Sequence, residues 1–206
     1  MDTISNPDIL IASGSNLTAN HFSKYVNRFP CLVRSHRNGI AILSGNETDQ
    51  ELISLGNDIF YYFGLGCRSI TKLYIPDKSM INKLAKLFDE HFTYVRENSK
   101  YNNNYDYQLA LLSLNKNKFY QCESIYFNES NSLNSSIAVV NYEIFDSLKT
   151  IEREIKSKLE SIQCIVSNIV GLSLETSPLG MAQWPELWDY QDGVDLIRFL
   201  QGDIDE

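Results

Sequence analysis

The chain alternates between short apolar runs and stretches whose apolar residues recur every three or four positions, a pattern that predicts strands and amphipathic helices in turn. Asp8–Ala12 is an apolar run that ends in Ser13-Gly14-Ser15-Asn16 and leads into a helix. Leu17, Phe22 and Val26 would share one face of that helix, with Ser15 or Asn16 capping its first turn. Strands follow at Cys31–Arg34 and Gly39–Leu43, with His36-Arg37-Asn38-Gly39 as a hairpin or turn between them. The best-marked helix begins at Thr48-Asp49-Gln50-Glu51, where the Thr48 hydroxyl and the Glu51 carboxylate can each satisfy a backbone N–H left over at the helix start. Leu52, Leu55, Ile59 and Tyr62 continue its apolar face, Gly56 predicts close packing, and Phe63-Gly64 ends it.

A β-rich run covers Ile70–Ile75 and is closed by Pro76, after which Ser79 is placed to cap a helix with Ile81, Leu84, Phe88 and Phe92 on its face. Tyr101–Tyr107, rich in Asn and Tyr, reads as a polar and aromatic loop leading into a short helical pattern at Leu109 and Leu112. Strands are expected at Cys122–Phe127, Ile137–Tyr142 and Ile162–Val166, with a helix between the last two that is capped by Asp146 and carries Leu148, Ile151, Ile155 and Leu159. Near the end, Pro178–Tyr190 gathers both tryptophans into a loop that lines a pocket, docks on a partner or packs in the core, and Asp192–Leu200 predicts a terminal helix. Strands and helices alternating in this order imply an α/β fold with a largely parallel sheet flanked by helices.

Composition narrows the function. At 206 residues and 43% apolar content the chain is long enough to bury a core. No apolar run approaches the ~18 residues a membrane helix needs, and Met1–Ser5 lacks the features of a signal peptide. A cytoplasmic protein with no membrane partner is the expectation. A net charge of −8 without a Lys/Arg cluster argues against nucleic acid, whose binding depends on many cationic contacts. The four cysteines, Cys31, Cys67, Cys122 and Cys164, lie far apart without metal-ligand spacing, so they read as free thiols and no metal is expected.

One cysteine stands out. In Phe63-Gly64-Leu65-Gly66-Cys67-Arg68 two glycines let the chain bend ahead of Cys67, and the Ile70–Ile75 run behind it fixes the thiol at the lip of a sheet. On chemistry alone the ordinary reading of such a cysteine is a small buried apolar residue. Cys67 follows a helix C-terminus, so its thiolate gains no help from a helix dipole, while Arg68 next to it offers positive potential.

Together these segments resemble the acyl-CoA reductases of the LuxC type, within the aldehyde dehydrogenase superfamily. The resemblance runs through nearly the whole chain and is strongest at Tyr62–Arg68 and at Gln183-Trp184-Pro185 with Asp189–Asp195. Ile11–Ser15 is similar to the family's Thr-Gly-Ser signature near the nicotinamide, which implies cofactor contacts at Gly14 and Ser15. Ala41–Asn46 is similar to the Glu-Leu-Gly-Gly segment, which implies the same for Gly45, and Cys67 takes the place of the catalytic cysteine. The glutamate that activates water in hydrolytic relatives is matched by Ile42 and Leu43, neither able to act as a base. Glu47, the nearest carboxylate, reads as a helix-start residue.

The resemblance implies an aldehyde-dehydrogenase-like catalytic domain at residues 46–206, preceded at 1–45 by a remnant of the nucleotide-binding domain and its connection. No G-x-G-x-x-G occurs, so the chain is expected to be the catalytic half of a reductase. The implied reaction reduces a fatty acyl-CoA or other acyl thioester to an aldehyde through a thioester on Cys67. Its cofactor is NADPH or NADH, used only if the missing nucleotide-binding half is supplied, for instance by a separate upstream polypeptide. Homo-oligomers are expected by the same resemblance. The competing expectation is an inactive remnant or interaction domain that keeps the fold.

Overall fold

A computed structural model describes residues 7–25 and 28–202. They fall into two compact units, one made of the segment up to Arg37 with the segment from Glu186 onward, the other of Asn38–Pro185. In the first unit β1 (Leu10–Ser13) leads through α1 (Asn16–Ser23) to β2 (Cys31–Arg34), and the two strands pair in parallel with Leu10 opposite Cys31. The Ser15 hydroxyl caps α1 by accepting the Thr18 N–H at 3.3 Å. Leu17 points to solvent while Phe22 packs against Tyr25, so the expected apolar face is only partly realised; Val26 lies outside the described residues.

The second unit holds a six-stranded sheet built from β3 (Asn38–Ile42), β4 (Ile70–Ile75), β5 (Phe119–Gln121), β6 (Tyr126–Glu129), β7 (Val139–Ile144) and β8 (Ile162–Val166). Its order is β5-β6-β7-β4-β3-β8, and every pairing is parallel except β5 with β6. Because β3 pairs with β4 and β8 rather than with β2, the segment 36–39 is a connection and not a hairpin. Ile40, Ala41, Ile42 and Leu43 are fully buried, as a strand covered on both faces requires.

The helices of this unit are α2 (Asp49–Phe60), α3 (Ser79–His91), α4 (Ser99–Leu114) and α5 (Leu148–Lys156). Side chains of α2, α3 and α4 join the larger apolar cluster with Leu73, Ile75 and Phe127, whereas Ile151 and Ile155 of α5 join Ile40, Ile42 and Tyr74 in a smaller one. The capping box of α2 forms as expected: Glu51 N–H donates to Thr48 Oγ1 at 3.3 Å and Thr48 N–H to Glu51 Oε2 at 2.7 Å. Leu52, Leu55 and Ile59 are buried, but Tyr62 lies beyond the helix and is exposed.

Several expectations are corrected. The Tyr/Asn-rich segment is not a loop: it lies within α4, capped by Asn98, whose side chain accepts the N–H groups of Lys100 and Tyr101. Tyr101 and Tyr105, four residues apart, turn inward; the Tyr105 ring stacks on Tyr126 at 4.3 Å, and the Arg96 guanidinium lies 3.9 Å from the Tyr105 ring centre. Burial of these rings outweighs the indifferent helix propensity of Asn and Tyr. Ser79 is the first residue of α3 rather than its cap; the Asp77 carboxylate accepts its N–H at 2.7 Å. The strand expected at Cys122 starts at Tyr126, since Cys122 N–H turns back to the Ile125 carbonyl. Ser147, not Asp146, occupies the cap of α5, and Leu159 is exposed in a 3-10 turn.

The C-terminal segment returns to the first unit. There Asp195 caps the short α6 (Leu196–Gln201), which starts later than the sequence pattern suggests, and Arg34 donates to Gln191 Oε1 at 2.9 Å. Trp184 and Trp188 are both exposed and are not core residues. Among the described residues no helix is long and apolar enough to cross a membrane.

Candidate functional site

Cys67 stands at the second position of a tight turn, closed by a 3.0 Å bond from the Ser69 N–H to the Gly66 carbonyl, just before β4. Cys67 is exposed, so the reading of this cysteine as a small buried residue does not hold. The chain reaches the turn through an unusual exit from α2. Tyr62, Phe63 and Gly64 are successively left-handed, with φ of 55°, 57° and 71°. Such backbone costs roughly 1–2 kcal/mol at each residue that carries a Cβ, a cost that Gly64 avoids.

Gly39 of β3 seats the turn. A Cβ there would stand 2.7 Å from the Arg68 carbonyl oxygen and 2.8 Å from that of Ser69, so only glycine lets the turn backbone lie directly on the strand. The Gly39 N–H donates to the Ser69 carbonyl at 3.2 Å. From the neighbouring β8, the Cys164 thiol donates to the Arg68 carbonyl at 3.5 Å. Burial pushes the Cys164 thiol up to about 12 despite the nearby Arg68 guanidinium, and burial likewise raises Cys122. Cys31 is half-buried and also raised by burial.

The segment Leu179–Gln183 closes the other side. Gln183 Nε2 donates to Ser69 Oγ at 3.4 Å, and Arg68 Nη1 donates to the Ala182 carbonyl at 3.4 Å. Asp58 of α2, fully buried, accepts the Gly180 N–H at 2.6 Å and the Ala182 N–H at 3.0 Å. Burial pushes the Asp58 carboxyl up to about 6, opposed by those two N–H bonds.

The remaining expected site residues are placed as follows. Gly14 and Ser15 belong to the first unit, at the turn before α1; the Gly14 N–H donates to the Arg34 carbonyl at 3.1 Å and Ser15 is the helix cap. Gly45 belongs to the second unit with Cys67. Its N–H donates to Glu47 Oε2 at 3.0 Å, while Glu47 Oε1 accepts from the Ser44 N–H and hydroxyl. Glu47 thus sits one residue before the α2 cap and organises the turn that leaves β3.

No protein-family model and no curated protein sequence matches the chain. Solved structures do. An aldehyde dehydrogenase 21 from Physcomitrella patens, in complex with succinate, superposes with a TM-score of 0.56 at 13% identity over 81% of this chain and 41% of its own. An indole-3-acetaldehyde dehydrogenase complexed with NAD+ gives 0.55 at 12% identity, also over 81% and 41%. A delta-pyrroline-5-carboxylate dehydrogenase from Mycobacterium tuberculosis, bound with NAD, gives 0.52 at 9% identity over 77% and 36%. The chain shares its fold with part of these aldehyde dehydrogenases. The chain spans less than half the length of each of these dehydrogenases. Within this aldehyde-dehydrogenase-like fold, Ile42 and Leu43 are fully buried in and just after β3.

Gly39, Ser69, Asp58 and Cys164 escaped the sequence reading. Asp58 had a visible signal, since it is a carboxylate set against Ile59 and Phe60 on a helix whose polar face lies elsewhere. The sequence marks Gly39 as a turn or strand residue, with no sign that the Cys67 turn rests on it.

Proposed function

We propose that the chain carries the acyl-accepting part of an acyl-CoA reductase, with Cys67 as the nucleophile. The observation that carries this reading is the exposed thiol at the tip of a turn held from three sides by β3, β8 and the Leu179–Gln183 segment. The Cys67 thiolate attacks the carbonyl carbon of a fatty acyl thioester. The bond to the CoA sulfur breaks, CoA leaves as a thiolate that takes up a proton, and the acyl group stays on Cys67. Tyr62, Leu65, Met181 and Trp184 expose apolar surface on the two segments that flank the turn, suited to an acyl chain. Hydrolysis of the acyl-cysteine needs a general base, and Ile42 and Leu43, matched by resemblance to the activating glutamate, are buried and apolar. That supports reduction to an aldehyde as the fate of the acyl group.

NAD bound in two of the neighbours supports a nicotinamide, as NADPH or NADH, as the reductant. The groups that resemblance assigns to it are occupied within their own units: the N–H groups of Gly14 and Gly45 and the Ser15 hydroxyl are engaged inside the chain. The reading therefore assigns most of the cofactor's contacts to a nucleotide-binding domain beyond residues 1–206, whether on the same polypeptide or a separate one, with Gly14, Ser15 and Gly45 offering close backbone approach at most.

Incubation with a long-chain acyl-CoA followed by intact-mass measurement tests the reading. Wild type gains one acyl mass and Cys67→Ala gains none. An unmodified wild type, even with a nucleotide-binding partner added, overturns it and leaves an interaction domain.

A further inference from the structure

The structure assigns to Asp58 the role of a positioning residue that holds the Cys67 turn in its working shape through the Leu179–Gln183 segment, an inference that rests on Cys67 being the nucleophile. The route is continuous. Asp58 Oδ2 accepts the Gly180 N–H and Oδ1 the Ala182 N–H. The same Ala182 offers its carbonyl to Arg68, and the next residue, Gln183, reaches Ser69, so the segment grips both residues that follow Cys67. Glu51 and Asp58, seven residues apart on α2, both hold the segment: Glu51 accepts from Asn168, and Asn168 accepts the Leu179 N–H at 3.1 Å.

A carboxylate is a costly way to hold a loop that needs only two acceptors. Taking its charge out of water opposes ionisation, and the two N–H bonds recover only part of that cost. A buried group kept at such expense, two contacts away from the turn of a candidate nucleophile, is the pattern expected where stability is traded for function. The ionised form matches both N–H donors, one on each oxygen. Protonation turns one oxygen into an O–H donor and an amide turns it into an NH2, and either sets a donor against an N–H. The titratable and charged groups around this cluster are Cys164 on β8, Cys67 and Arg68 on the turn, and Glu51 on α2 itself.

Acyl transfer to Cys67 and amide hydrogen exchange, each followed from pH 5 to 7.5 in wild type and Asp58→Asn, test this. The ratio of wild-type to variant acyl-transfer rate is expected to rise from about 1 at pH 5 to about 10 at pH 7.5, since small misplacements at a reacting centre cost rates of that order. Relative to intrinsic exchange, protection at Leu179–Gln183 in wild type should change in a step across pH 6 that the variant lacks, and the variant should melt no lower than wild type at pH 7.5. Superimposable profiles overturn the proposal, and so does a variant that melts lower at pH 7.5 without a change in the shape of its pH profile, which is what a purely structural Asp58 would give. Exchange needs no acyl donor, so failure of the acyl reading leaves this part of the test intact.

Discussion

A Cβ added to Gly56 would stand 2.3 Å from Cε2 of Phe92 and 2.4 Å from its Cζ. Phe92 stacks on Phe60 at 4.7 Å and meets Phe88 edge to face at 5.5 Å, so its ring has no free space to retreat into. Gly56→Ala gains helix propensity worth up to ~1 kcal/mol but overpacks this aromatic cluster, which costs roughly 1–3 kcal/mol. Net destabilisation is predicted, read as a lower midpoint of urea unfolding. A variant at least as stable as wild type would show that the α2–α3 contact is looser than described.

Lys72 is fully buried on β4, where it donates to Glu143 Oε2 at 2.8 Å and to the Ser130 carbonyl. Burial, opposed by Glu143, draws its ammonium below the usual lysine range. Removing one partner strands a buried charge, whereas replacing it with an apolar group of similar shape does not. Glu143→Ala is therefore predicted to cost about 1–3 kcal/mol, discounted because Glu143 is partly exposed; Lys72→Met is predicted to be near neutral. Equal losses from the two variants would contradict this.

The Asp58 carboxyl is raised from the ordinary aspartate value to about 6 in the folded chain. A carboxyl raised on folding binds its proton more tightly in the native state. Its contribution to stability is then full below the unfolded value near 4 and is lost as pH rises through about 6. Two pKa units correspond to roughly 3 kcal/mol. Between pH 4 and 7.5, wild type is predicted to lose about that much relative to Asp58→Asn, measured as the pH dependence of the difference in unfolding free energy. A difference that does not vary with pH would contradict the assignment.

Much of the fold was legible because burial and periodicity agreed. Leu52, Leu55 and Ile59 recur at helical spacing and the Thr48 capping box marks the start, so α2 is written plainly in the chain. The run Ile70–Ile75 is apolar at Ile70, Leu73, Tyr74 and Ile75 because both faces of β4 are covered, and the buried Lys72 is its exception. The pattern failed where a long-range contact decided the outcome. Tyr101 and Tyr105 look like loop residues until Tyr126, from a later strand, and Arg96, from the turn before α4, pack on Tyr105. The Cys67 turn itself was visible from Gly64, Gly66 and the following strand. What holds it was not, because Gly39, Cys164 and Asp58 are brought to it only by sheet order and by the return of the chain at Gly180–Gln183.

The most direct measurement is the release of free CoA thiol on mixing the protein with one long-chain acyl-CoA, paired with peptide mapping of the acyl group. The account predicts one equivalent of CoA per chain and an acyl mass confined to the Cys67 peptide, with both signals absent in Cys67→Ala and retained in Cys164→Ala. CoA release that persists in Cys67→Ala, or an acyl group found on Cys31, Cys122 or Cys164 instead, would contradict it.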